Sequence, residues 1–271
     1  MLFAQESDAL AWYEREPRVL TPAFIATIPW QEVAQHPLHP DCVPVLRYMR
    51  DVEHFTGMYY AELLRTPTGR EPIIRRFMDR WSTEEPTHGE LLHRFLGEAG
   101  CPVDDHWPGT AAAAIPHRYH LMSRLSSLLA WSVGRHFSAV HMTWGAINEL
   151  STLTGYLRLW QLAKHPVLER ILRAIAREEA RHAFFYWSIA RLKLLRSTFR
   201  QQLTRTIVRS FWAPVGEGAK PRSDANFVIA TLFRGSDGVA TFHRNVNQRI
   251  EELPGLSGLR TMTNRVRHVA R

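Results

Sequence analysis

The sequence predicts an all-α fold built as a helical bundle. Three observations carry that prediction. Six of the 16 prolines gather in residues 17–44, and glycine and proline recur together at 213–224. Through the long middle, apolar residues recur at helical spacing and no convincing period-two run appears. The periodic segments are long and their connections short, which favours helix packed on helix. Apolar residues make up 45 % and charged residues 22 %. That is ordinary globular composition, and it excludes a disordered chain, a collagen-like repeat and a coiled-coil rod. The length fits one domain over 1–271, with an extended N-terminal segment over 1–42, a helical body over 43–209, and a loop, helix and basic tail over 210–271.

The elements follow in order. Pro17, Pro22, Pro29, Pro37, Pro40 and Pro44 mark a loop-rich entry. Helices are expected at about 43–65, 70–97, 121–163 and 167–209, the third broken near Gly134 and the fourth near Ser197. Residues 213–224 read as a loop, and their Gly216, Gly218 and Lys220 lack the spacing of a phosphate loop. A helical stretch at about 224–252 precedes a basic tail with Arg265, Arg267 and Arg271. Apolar runs such as Leu128–Val133, itself interrupted by Ser132, are too short to span a membrane. Residues 1–10 lack the basic start and apolar stretch of a signal peptide, and Cys42 and Cys101 form no disulfide framework, so a cytoplasmic location is expected. The net charge of +8 favours acidic partners. No zinc-finger, RNA-recognition or basic-zipper pattern is present, so nucleic acid is not expected.

One pattern occurs twice, as Glu84-Glu85-Pro86-Thr87-His88 and Glu178-Glu179-Ala180-Arg181-His182. In each, the second Glu and the His are three residues apart and project from one helix face. A single Glu-x-x-His is usually a surface pair. Two copies, joined by one inward Glu from each of two other helices, make the di-metal carboxylate pattern of ferritin-like bundles. Glu53 and Glu149 fill those places. Glu53 shares its face with Leu46, Met49, Thr56 and Tyr60, whereas Glu62 lies on the opposite, charged face and is expected to be solvated. Glu149 shares a stripe with Met142, Ala146, Thr152 and Tyr156, and Glu179 shares one with Leu172, Ile175 and Tyr186. Arg170, Arg173, Arg177 and Arg181 occupy the face opposite Glu179. Four carboxylates and two imidazoles suit iron or manganese. In a core, the four negative charges need two divalent cations to neutralise them.

The stretch from Trp81 through Glu84-Glu85, His88 and Gly89 to Leu91-Leu92, together with Glu178-Glu179-Ala180-Arg181-His182, resembles the two motifs of the soluble acyl-carrier-protein desaturases, a ferritin-like di-iron family. Thr152, three residues after Glu149, and Leu253-Pro254-Gly255-Leu256-Ser257 extend the likeness over most of residues 43–258. The resemblance implies two iron ions held by Glu53, Glu85, His88, Glu149, Glu179 and His182. It implies that Glu84 and Glu178 hydrogen-bond the ligand histidines, and that Thr152 helps deliver protons to oxygen. It further implies a desaturase that uses dioxygen and electrons to place a double bond in a fatty acyl chain on an acyl carrier protein. A ferredoxin-type donor and a homodimer go with that likeness. Trp81, Tyr60, Met142 and Tyr156 are candidate walls of a substrate tunnel. The sequence departs from the family at Pro86-Thr87, where a non-proline followed by arginine is usual, and Pro86 is expected to kink or bulge its helix.

Other di-metal chemistries fit less well. A hydroxylase or N-oxygenase would keep the same ligands, but one N-oxygenase group adds a histidine where this chain has Ile175. A ribonucleotide-reductase small subunit needs a radical tyrosine where Leu92 stands. Iron-storage proteins generally lack the second ligand histidine, here His182.

Overall fold

The computed structural model describes residues 2–271. In chain order the α-helices are α1 (Glu6–Arg15), α2 (Pro22–Ala26), α3 (Cys42–His54), α4 (Thr56–Leu64), α5 (Pro72–Glu98), α6 (Trp107–Ala113) and α7 (His117–Val133). They continue as α8 (Phe137–Ala163), α9 (Pro166–Leu195), α10 (Thr198–Phe211), α11 (Arg222–Leu232), α12 (Gly235–Phe242), α13 (Gln248–Glu251) and α14 (Thr261–Val269). The fold is all-α, and among the described residues no helix is long and apolar enough to cross a membrane.

Local chemistry explains where these helices start and stop. Pro166 opens α9, and the Leu168 amide donates to His165 Nδ1 at 3.3 Å. This satisfies one of the amide groups that a helix start leaves without a partner. Ser197 caps α10 by accepting from the Arg200 amide. Gly134, at φ +61°, ends α7 in a conformation that favours glycine. The expected breaks near Gly134 and Ser197 are therefore both present.

Four regions differ from the sequence expectation, the first being the helix expected at 43–65, which divides at Phe55 into α3 and α4. The entry segment over 1–42 is not simply extended: it holds α1, α2 and a 3₁₀ turn over Trp30–Gln35. Pro22 sits at the start of α2, where its missing N–H costs nothing, with Thr21 Oγ1 accepting from the Phe24 amide. The stretch 224–252 is divided among α11, α12, a π-helical turn and α13. The basic tail is helical over α14, whose Met262 and Val266 are buried. Pro86 lies inside α5, and the helix runs on through it to Glu98.

Helices α3 and α5 pack together, as do α8 and α9, and the pairs meet through α5–α9 and α3–α8 contacts. Two glycines permit close approach. A Cβ at Gly89 of α5 would stand 3.1 Å from the Arg50 carbonyl oxygen of α3. A Cβ at Gly145 of α8 would stand 2.2 Å from the Tyr186 ring of α9. Helix α1 lies across α5 and α9, and α11 packs on α3 and α8.

Candidate metal centre

All six predicted ligands are buried and converge between the two helix pairs. Glu53 comes from α3, Glu85 and His88 from α5, Glu149 from α8, and Glu179 and His182 from α9. Their donor atoms form two groups, Glu53–Glu85–His88–Glu179 and Glu85–Glu149–Glu179–His182, each with donors within 4.8 Å of one another. Glu85 and Glu179 belong to both groups. Glu53, Glu149 and the two histidines each belong to one group, a division that sequence spacing does not show.

Each histidine turns one ring nitrogen inward and anchors the other. His88 Nδ1 lies 3.1 Å from Glu179 Oε1 and 3.6 Å from Glu53 Oε2. His182 Nδ1 lies 2.8 Å from Glu85 Oε1 and 3.7 Å from Glu149 Oε2. On the outer side, His88 Nε2 meets Glu178 Oε2 at 3.1 Å and His182 Nε2 meets Glu84 Oε2 at 2.8 Å. The support is crosswise, because the first Glu of each motif holds the histidine of the other. With Nε2–H donated to a carboxylate, Nδ1 is left as the lone-pair nitrogen, ready to ligate.

These outer carboxylates are themselves fixed. Glu84 accepts from the Tyr13 hydroxyl at 2.9 Å, from Arg80 at 2.8 Å and from Arg181 at 2.6 Å. Glu178 accepts the backbone amides of Val19 and Leu20 at 2.7 and 3.0 Å. Burial pushes the Glu178 carboxyl up, but the bond to and charge of His88, the Leu20 amide and Arg18 together outweigh it and bring the group down to about 2. The bond to His182 and the adjacent Arg181 likewise hold Glu84 well below the usual carboxylate range, against the effect of burial. Both stay ionised. Sequence reasoning missed Tyr13, Arg18, Arg80 and Arg181. Arg181, placed by spacing on the arginine face, is instead buried against Glu84. Arg18 reaches the Thr87 hydroxyl at 3.2 Å and Glu178 at 3.7 Å, so a guanidinium from the N-terminal segment stands beside the departing Pro86-Thr87 pair.

The inner groups behave differently. Burial pushes Glu85 and Glu179 well up, and neighbouring carboxylates push them further. Glu149 is raised to about 7, first by burial. Inner atoms Glu85 Oε1, both Glu179 oxygens, His88 Nδ1 and His182 Nδ1 have no hydrogen-bond partner. Buried polar atoms left unmatched at this density are costly unless something else occupies their lone pairs. Two divalent cations fit: they match four carboxylate charges with four positive ones and take two inward nitrogens.

Two cavities adjoin the cluster, and a third opens from one of them. One of about 110 Å³ is walled by Trp81, Trp144, Glu85, Glu149 and Glu179. It shares Val52, Glu53, Thr152 and Val215 with an apolar cavity of about 80 Å³ that runs among Met49, Gly155, Ile229, Leu232 and Phe242. It shares Tyr59, His141, Trp144 and Asn148 with an outer cavity of about 320 Å³ reaching Glu62, Tyr119 and Glu217. Thr152 thus stands where the metal-side and apolar cavities meet. Of the expected tunnel walls only Trp81 lines this series. Met142 is packed in the core, Tyr156 donates its hydroxyl to Glu53, and Tyr60 bonds Asp79 near the surface. Glu62 is not freely solvated either, since its side chain is 18 % exposed and accepts from the Tyr119 hydroxyl.

The chain matches no protein-family model and no curated protein sequence.

Proposed function

We propose that this chain is a di-iron oxidoreductase that uses dioxygen and electrons to desaturate a fatty acyl chain carried on an acyl carrier protein. The observation that carries the reading is the pair of ligand groups sharing Glu85 and Glu179, with an apolar cavity beginning at Glu53 and Thr152. Bound there, two iron ions would supply the electron transfer to dioxygen and the oxidising power to break unactivated C–H bonds. The reaction balances when dioxygen, two electrons and two protons are consumed, two hydrogens leave adjacent carbons and two waters form.

The residues of the chain do the positioning. Glu84 and Glu178 fix both imidazoles, so that neither ligand nitrogen must reorganise. The Tyr156 hydroxyl donates to Glu53 Oε1 and holds that carboxylate in place. The cavity among Met49, Gly155 and Leu232 excludes water and receives the distal end of an apolar chain, which brings one carbon pair beside the cluster. Thr152 lines both cavities, which supports a role for its hydroxyl in passing a proton toward the cluster.

The test is iron loading followed by metal analysis, then incubation with acyl carrier proteins of mixed chain length, dioxygen and reduced ferredoxin. Two irons per chain and an acyl product lighter by two hydrogens are expected. An acyl product heavier by one oxygen would replace desaturation with hydroxylation on the same ligands. A chain that binds no iron would overturn the whole reading.

A further inference from the structure

The outer cavity carries polar groups that the proposed reaction does not use. Its volume of about 320 Å³ is that of a small-molecule site. Helix α8 lines it with His141, Trp144 and Asn148, which share one face at steps of three and four residues, and α4 lines it with Tyr59 and Glu62. Three buried atoms of this lining, Glu62 Oε1, His141 Nδ1 and Asn148 Oδ1, have no hydrogen-bond partner among the described residues. Two of them are oxygen acceptors. Burial brings His141 down to about 4, so near pH 7 its ring is neutral and also offers an acceptor nitrogen. Unmatched acceptors around one cavity call for an occupant that brings hydrogen-bond donors.

Charge narrows the choice. The chain carries a net +8, yet among the described residues no lysine or arginine lines this cavity, while Glu62 and Glu217 do. Glu217 is already matched, at 2.9 Å from Arg265 and 3.6 Å from Arg222. Glu62 is matched only loosely. Tyr119 donates to its Oε2 at 3.1 Å, and half-exposed Arg65 stands 3.8 Å from Oε1, beyond hydrogen-bond reach. The rings of Tyr59, Tyr119 and Trp144 wall the same space, and aromatic faces favour a cation.

We propose that the outer cavity binds a small organic amine in its ammonium form, with Glu62 as the counter-ion and the carbon part against Trp144, Leu63 and Val215. An ammonium brings both the donors that the unmatched acceptors lack and the charge that Glu62 lacks. A carboxylate or phosphate would face two acids and no cation, and an alcohol would leave the Glu62 charge as loosely matched as before. The site goes beyond the proposed reaction and does not rest on it. Its place still bears on the cluster, because Tyr59, His141, Trp144 and Asn148 also line the metal-side cavity. A bound amine would therefore stand beside the space around Glu85, Glu149 and Glu179.

The test is calorimetric titration of the full chain, its metal content measured, with n-hexylammonium beside hexanoate and 1-hexanol as probes of equal length. One saturable site is expected for the ammonium, with the other two probes weaker by about tenfold or more. Glu62→Gln keeps an acceptor for Tyr119, and should weaken the ammonium by about tenfold or more at unchanged metal content and unfolding midpoint. Trp144→Leu, which removes an aromatic wall and no charge, should weaken it by about threefold or more. Absence of binding excludes the proposal. So does hexanol binding as tightly as the ammonium, or undiminished affinity in both variants, which would mark a surface effect. No turnover is read, so inactivity toward acyl carriers leaves this site standing, and a failed titration leaves the di-iron reading standing.

Discussion

At the scale of single residues, the centre works by contrast between two kinds of glutamate that the sequence writes side by side. Glu84 and Glu178 meet guanidinium groups or backbone amides and remain charged, whereas Glu85 and Glu179 face other carboxylates and resist ionising alone. Arg181→Leu is expected to destabilise the fold by about 3 kcal/mol or more, because it strips a buried carboxylate of its closest cation. Denaturant melts with and without metal would measure this. Glu149 gives a pH prediction. Its folded value near 7 lies above the ordinary 4.5, so the metal-free protein loses stability as pH rises through that interval. Metal-free Glu149→Gln should match the wild type below about pH 4.5. Above pH 7 it should exceed it by roughly 3 kcal/mol. Melts in a chelator at pH 4 and pH 8 test the sign, and an equal difference at both would exclude it.

At the scale of elements, helix spacing decides whether the four ligand-bearing segments can share metals. Gly145 lets the Tyr186 ring lie against α8, and Gly89 lets α5 approach α3 beside Glu53. Gly145→Ala is expected to cost about 1–3 kcal/mol through overpacking. The same shift should lower occupancy at the Glu149–His182 group, with metal analysis and a shifted unfolding midpoint as the readouts. The long periodic segments were legible because their apolar stripes are continuous. Helix α1 was not, since its place is earned by Tyr13 reaching Glu84 on α5, a contact between residues 71 positions apart. The continuous helix through Pro86 is also a tertiary outcome: burial on several sides of α5 holds a segment that one missing hydrogen bond would loosen in isolation.

At the scale of the whole molecule, the N-terminal and C-terminal segments finish what the four central helices begin. Residues 13–20 close over the outer carboxylates, and α11 and α12 wall the apolar cavity. At Gly155 a Cβ would stand 3.5 Å from both Leu232 and Met49. Gly155→Leu should therefore fill the distal cavity without touching a ligand. We expect kcat/KM on the longest accepted acyl chains to fall at least tenfold, with shorter chains and iron content little changed. Competition assays on mixed chain lengths read this directly, and a uniform fall across lengths would remove that cavity from substrate binding.

The sequence by itself determined the all-α class and the six inward-facing donors. Both are periodic properties of helices, and an acid on an apolar stripe is conspicuous in one dimension. The family likeness also pointed to Glu84 and Glu178, but not to which histidine each supports. Only the tertiary structure decided that Glu85 and Glu179 are shared between the two groups, that the histidine supports cross between motifs, and that Arg181 turns inward. Those outcomes depend on how far apart and at what rotation four helices pack. That is set by many small contacts, such as the Gly145–Tyr186 approach, which carry no periodic signature along the chain.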